Sequence, residues 1–224
     1  MIVNENHIQT TRTARYYSMG SFSEPVDELW IVLHGYGQRA EQFISDFAPI
    51  SGSGVLIVAP EALSRFYWKG FSGEVTASWM TREDRLNEIQ DYINYLDNLY
   101  NEILKPLMDR PKRIIGLGFS QGCPTLLRWL AAGNSRVDEI VIWSGDVPRD
   151  LAFDEFRSHT QNAEKWLIYS KTDPFIRAEI ITETKELLTS RGNEFRTIEF
   201  EGGHSIPVKT LLQLKEHIGK AKTD

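Results

Sequence analysis

The chain has 224 residues, 41% of them hydrophobic and 25% charged, with 16 Gly and 9 Pro; that is enough to bury roughly 70% of the unfolded surface in one core, and it excludes disordered, collagenous and coiled-coil chains. A single cysteine, Cys123, excludes an internal disulfide and any multi-cysteine metal site. A formal charge of -6 with no long Lys/Arg run leaves no footprint for nucleic acid or anionic lipid.

The first twenty residues lack a basic stretch leading into an apolar one, so they do not read as a secretory signal. The longest apolar runs, Leu29–Leu33 and Val55–Pro60, are far below the roughly 20 residues that cross a bilayer. A soluble, cytoplasmic protein is expected, and the lone thiol suits a reducing compartment.

Seven β-rich runs follow in order: Ala14–Ser18, Leu29–His34, Val55–Ala59, Arg113–Gly118, Glu139–Trp143, Lys165–Tyr169 and Arg196–Phe200. Most are continuous in Val, Ile, Leu and aromatics, the pattern of a strand covered on both faces. Helical periodicity lies between them. The strongest stretch begins at Thr81, where Thr81 and Asp84 resemble a capping box, and runs on through Leu86, Ile89, Ile93, Leu96, Tyr100, Ile103 and Leu107. Further helices are expected over Gln121–Ala132, Arg177–Ser190 and Pro207–Ile218, the last opening on a first-turn proline. Strands alternating with helices predict an α/β fold with a mostly parallel sheet. With no linker-like stretch and no internal repeat, residues 1–224 are expected to form one domain. The segment Glu61–Trp79 carries Phe66, Tyr67, Trp68, Phe71 and Trp79 without a sustained period. Its aromatics either plug the core or line a pocket, with Trp68, Phe71 and Trp79 as the pocket candidates.

The sharpest chemical signal is Gly118-Phe119-Ser120-Gln121-Gly122, between an apolar strand and a helix. In that context G-x-S-x-G makes a tight strained turn that lifts the Ser120 hydroxyl off the sheet, and the glycines leave room for crowded backbone. A serine needs a base oriented by a carboxylate. Of the five histidines, His204 lies in a glycine turn after the last strand and follows Ser120 in the chain order of such enzymes; His7, His159 and His217 read as surface residues, and His34 precedes the serine. Two acids follow strands closely enough to orient it, Asp173 and Asp146. The glycine-bracketed loop Leu33-His34-Gly35-Tyr36-Gly37 offers the Tyr36 amide as one donor to a developing oxyanion, and the Gln121 amide offers a second. A dinucleotide site at Gly116-Leu117-Gly118 is excluded by Gln121, which stands where the third glycine belongs. No metal-ligand spacing is present, and neither a metal nor a cofactor is expected.

These motifs, together with Thr172-Asp173-Pro174 and Gly203-His204, resemble the α/β-hydrolases, and more closely the small carboxylesterase/phospholipase family that includes the acyl-protein thioesterases. The resemblance spans about Trp30 to Ile218. It implies a sheet of about seven strands with helices on both faces, Ser120 as nucleophile, Asp173 rather than Asp146 as acid, His204 as base, and the Tyr36 and Gln121 amides as oxyanion hole. It also implies a small-molecule ester or thioester substrate, with acyl-protein thioesterase or lysophospholipase as the alternative activity and a silent binding protein of the same fold as the remote one. Cys123, Pro124 and Arg177 depart from the family pattern, as does Glu61–Trp79.

Overall fold

The computed structural model describes residues 1–220. Residues 1–15 form neither helix nor strand. Seven strands make one sheet: β1 (Tyr16–Met19), β2 (Glu28–Leu33), β3 (Val55–Pro60), β6 (Arg113–Phe119), β7 (Glu139–Trp143), β8 (Glu164–Ser170) and β9 (Arg196–Phe200). Two further strands, β4 (Ser64–Tyr67) and β5 (Val75–Ser78), pair only with each other. The helices are α1 (Ala40–Phe43), which runs into a 3-10 segment over Ile44–Ile50, then α2 (Arg85–Leu104), α3 (Gly122–Ala132), α4 (Phe153–His159), α5 (Ala178–Ser190) and α6 (Val208–Lys220).

The sheet order is β1-β3-β2-β6-β7-β8-β9, with β1 antiparallel and the other pairs parallel. Alternate residues of the five inner strands feed two cores, as the two-residue repeat of a strand requires, and the edge strands β1 and β9 contribute to one of them. Leu29, Ile31 and Leu33 pack with Tyr92, Leu126 and Ile181 of α2, α3 and α5, whereas Trp30 and Val32 pack with Phe43, Phe47, Leu211 and Leu214 on the opposite face. Both faces are therefore covered, which explains the uninterrupted apolar strands. The seven strands expected from sequence are the seven strands of this sheet.

Two expectations are corrected. The long helix starts at Arg85, not Thr81, with Asp84 at its N-cap in a left-handed conformation (φ 47°). The Thr81 amide and hydroxyl both donate to Glu88, at 2.6 and 3.2 Å, so the carboxylate that anchors Thr81 lies seven residues on, and residues 81–84 form a turn. The helix ends at Leu104, which leaves Leu107 beyond it, and Leu86 points to solvent. The second correction is Glu61–Trp79, which contains a regular hairpin, β4–β5, in the register Ser64↔Ser78 to Tyr67↔Val75.

Candidate active site

The strand β6 lies between β2 and β7, and only Ser120 and Gln121 separate it from α3. To turn that sharply Ser120 takes φ 53°, a conformation that costs a non-glycine residue about 1–3 kcal/mol and persists only when its surroundings enforce it. Two bonds do so: the Ser120 amide donates to the Trp143 carbonyl at 3.0 Å, and its own carbonyl accepts from the Cys123 amide at 2.9 Å. The flanking glycines are obligatory for space, because a Cβ on Gly118 would overlap the Gly122 carbonyl and one on Gly122 would overlap the Leu33 carbonyl. Beneath the turn, the buried Cys123 thiol donates to the Gly118 carbonyl at 3.0 Å, and burial pushes its pKa well above the ordinary thiol value. It fills space under the elbow and stays protonated. Pro124 occupies the first turn of α3, where its missing N–H leaves no helical bond unmade.

His204 stands in the turn between β9 and α6, and its Nδ1–H donates to Asp173 Oδ2 at 2.7 Å. The carboxylate is locked: its other oxygen accepts from the amides of Phe175 and Ile176 at 2.8 and 3.1 Å. The Asp173 side chain is 1% exposed and that of His204 16%, so the acid is sealed while the imidazole keeps an open edge. The ring sits between Phe119 and Phe175, with centroids 4.8 and 4.9 Å away. Since Phe119 immediately precedes Ser120, this seat places the imidazole against the end of β6. The Ser205 carbonyl accepts from the Trp143 indole at 3.0 Å and fixes the loop. Asp146, the other acid considered, is exposed after β7, and the histidine bond goes to Asp173.

Across the sheet, Gly35 packs so close to the elbow that an added Cβ would lie 3.1 Å from Ser120 Cβ. Its amide donates to Gln38 Oε1 at 2.7 Å. His34 is buried beneath this loop. Its Nε2 accepts from the Ala62 amide at 3.1 Å, which places the ring proton on Nδ1, where it donates to the Gly35 carbonyl at 2.7 Å. Burial lowers the His34 pKa to about 4, so the ring is a neutral strut. Among the described residues, the Tyr36 and Gln121 amides donate to no protein acceptor.

The three pocket candidates are not brought together. Trp79 is 2% exposed, donates its indole N–H to the His34 carbonyl at 2.8 Å, and packs on His34 and Tyr92; it is a core residue. Trp68 is 50% exposed and packs against Tyr36 and Phe66, beside the loop after β2. Phe71 is fully exposed in the hairpin turn. Sequence reasoning also missed the side chain of Gln121, which reaches the hairpin exit: Oε1 accepts from the Trp79 amide at 3.1 Å, and Nε2 donates to the Met80 carbonyl at 2.9 Å. The carboxamide is partly buried, and nothing in the sequence announces the loop that folds onto it. Among the described residues, one trio has metal-ligand proximity, Glu5, His7 and Asp84; all three are exposed, with His7 Nε2 at 3.2 Å from Glu5 and 3.3 Å from Asp84. No helix among the described residues is long and apolar enough to cross a membrane.

A mostly parallel sheet clad on both faces, with a strained serine at the end of an inner strand and a carboxylate-bound histidine beside it, defines the α/β-hydrolase class. The sequence profile of the phospholipase/carboxylesterase family matches residues 16–222, and the chain belongs to that family, one of hydrolases. Solved structures agree on the fold. The esterase PE8 superposes with a TM-score of 0.72 at 20% identity, over 93% of this chain and 99% of that one. The Zea mays acyl-protein thioesterase 2 gives 0.70 at 17%, over 92% and 98%, and a Mesorhizobium loti carboxylesterase 0.73 at 16%, over 92% and 95%. A sequence search of curated proteins returned no match.

Proposed function

We propose that this protein is a serine hydrolase that cleaves carboxylic esters, or thioesters, of small to medium acyl groups through an acyl-Ser120 intermediate. The observation that carries the reading is the 2.7 Å bond from Asp173 to His204, with the imidazole packed on the residue before the strained serine. Ser120 Oγ attacks the carbonyl carbon while His204 Nε2 takes its proton. The oxyanion is met by the Tyr36 and Gln121 amides. As the tetrahedral intermediate collapses, the carbon–leaving-group bond breaks, and His204 returns the proton to the departing alcohol or thiol. Water then repeats the sequence, releasing the acid and free Ser120. Asp173 holds the imidazole in the tautomer that leaves Nε2 free and stabilises the imidazolium. Family membership and the esterases and thioesterase among the structural relatives support this chemistry.

A fluorophosphonate probe tests the reading, combined with hydrolysis of p-nitrophenyl esters and matching thioesters of increasing acyl length. Ser120 is expected to be the labelled residue, and Ser120→Ala to lose on the order of 10⁶ in kcat. Labelling that persists in Ser120→Ala, or wild-type protein that neither labels nor hydrolyses any member of the panel, sinks it.

A further inference from the structure

The two oxyanion amides belong to different elements. Tyr36 lies in the loop after β2, and Gln121 at the start of α3. The strands beneath them, β2 and β6, stay in register only as far as Leu33↔Gly118; beyond that ladder the two segments meet through the close packing of Gly35 on Ser120 and of Gly122 on the Leu33 carbonyl, and through whatever bonds to both. The four residues Ala77–Met80 touch both. Toward the first loop, the Ala77 carbonyl accepts from the Gly37 amide at 2.9 Å, the Ala77 amide donates to the Gln38 carbonyl at 3.2 Å, and the Trp79 indole donates to the His34 carbonyl at 2.8 Å. Toward the elbow, the Gln121 carboxamide accepts from the Trp79 amide at 3.1 Å and donates to the Met80 carbonyl at 2.9 Å, with the Ser78 hydroxyl within 3.2–3.3 Å of both its ends.

We infer that this hairpin exit is a positioning strut that sets the spacing of the Tyr36 and Gln121 amides, with the Gln121 side chain as its clamp. The inference rests on the serine-hydrolase reading. The chemistry of the clamp is restrictive. Facing it are a backbone N–H at Trp79 and a backbone C=O at Met80, and a primary amide carries the acceptor for one and the donor for the other on two separate atoms. Leucine matches the size and satisfies neither. Glutamate satisfies the N–H and sets a carboxylate against the carbonyl. The Gln121 side chain is therefore a positioning group. A misplacement of about 1 Å costs on the order of 10²-fold in rate, and loss of one oxyanion donor about 10²–10³.

A clamp that serves only stability is separated from a positioning strut by a tetrahedral adduct. An aryl trifluoromethyl ketone accepts Ser120 Oγ at its carbonyl carbon, with the serine proton passing to His204, and its hemiketal oxyanion is held by the same two amides. The full-length protein is compared with Gln121→Leu and Ser78→Ala, with active sites counted by fluorophosphonate labelling carried to completion. For Gln121→Leu, kcat on p-nitrophenyl butyrate is expected to fall about 10- to 100-fold with KM within about threefold, and ketone affinity to fall by the same factor as kcat/KM. Ser78→Ala, which removes the hydroxyl beside the Gln121 carboxamide together with its 2.9 Å bond to the Met80 carbonyl, is expected to shift the same quantities in the same direction by roughly three- to fivefold. The inference is overturned if both variants hold kcat and ketone affinity within about twofold of wild type, even where the melting temperature drops. Should Gln121→Leu give no cooperative thermal transition, Ser78→Ala decides on the same criterion. Wild-type protein that fails to label at Ser120 removes the hydrolase reading and this inference together, whereas active wild type with indifferent variants removes the inference alone.

Discussion

His34 and His204 approach Ser120 from opposite sides of the sheet order, one at the end of β2 and the other in the turn after β9, and each has a glycine for a neighbour. Under the proposed function their surroundings suit them to opposite tasks. His34 is buried and accepts from the Ala62 amide, which requires a neutral ring; burial outweighs the Gly35 carbonyl and the Glu61 charge, both of which favour the charged form, and lowers its pKa to about 4. His204 donates instead to a carboxylate that is itself held by two amides, and it keeps an exposed edge. An imidazole that must gain and lose a proton needs a partner for its charged form and a path outward. One that must hold a loop needs neither. The glycine-flanked context in the sequence is similar for both, and the partner decides.

The largest effect that could break this comparison comes from the acid. Asp173→Asn keeps the shape but favours the wrong imidazole tautomer, so kcat is expected to fall about 10⁴-fold with little change in melting temperature. Asp146→Asn, at an exposed turn, should cost less than about tenfold. Ester hydrolysis by the two variants at neutral pH checks this, and an inversion of their order reassigns the acid to the turn after β7.

On the His34 side, Trp79 covers the ring and caps the His34 carbonyl. Trp79→Ala removes a buried indole and is expected to lower unfolding free energy by about 3–5 kcal/mol in urea titrations. Its residual kcat/KM should drop by one common factor for every ester. A variant with wild-type stability and a re-ordered ester series returns Trp79 to the pocket.

The pH dependence of stability sharpens the same contrast. The folded-state pKa of His34 is depressed below the ordinary value of 6.5, so between the two values the unfolded chain binds a proton that the folded protein refuses. The stability contributed by keeping the ring neutral is complete above about pH 6.5, falls as pH drops, and is lost by about pH 4, a change of about 3 kcal/mol. His34→Gln, which cannot titrate, should flatten that part of the stability curve by up to one proton's slope. Denaturant unfolding at half-unit pH steps measures it; an unchanged slope means that His34 does not titrate as a buried neutral group.

What the sequence made legible follows from where each signal is stored. The five inner strands of the main sheet were readable because burial on both faces forces uninterrupted apolar runs, the edge strands β1 and β9 from their β-branched and aromatic residues, and the elbow because its crowding demands glycine at 118 and 122. The hairpin was not readable. Ser64–Tyr67 and Val75–Ser78 are four residues each, and their attachment to the Gln38 loop is a backbone bridge that no side chain announces. The start of α2 was misplaced because Thr81 and Asp84 have the spacing of a capping box while the bonded carboxylate is Glu88. Gln121 was valued for its backbone amide, since a motif gives neighbours along the chain and not the loop that folds onto its side chain. Trp68 and Trp79 look alike in sequence, and their separation into rim and core depends on that same fold-back.

The smallest effect concerns the rim. Trp68 stacks on Tyr36 and Phe66 with half its surface open, at the loop whose amide is the proposed oxyanion donor, so one face of the indole supports the loop and the other is free to meet an acyl chain or a leaving group. Phe71 is fully exposed in the hairpin turn. Trp68→Ala should therefore change relative kcat/KM across acetate, butyrate, hexanoate and octanoate esters by roughly 1–3 kcal/mol per methylene where the chain reaches the ring. Phe71→Ala should stay within about 0.5 kcal/mol for the whole series. A uniform loss in Trp68→Ala, with a lower melting temperature, makes the indole a support for Tyr36 and nothing more. A larger re-ranking in Phe71→Ala than in Trp68→Ala means that the hairpin turn folds over the substrate, and selectivity then belongs to the loop that the sequence left without a period.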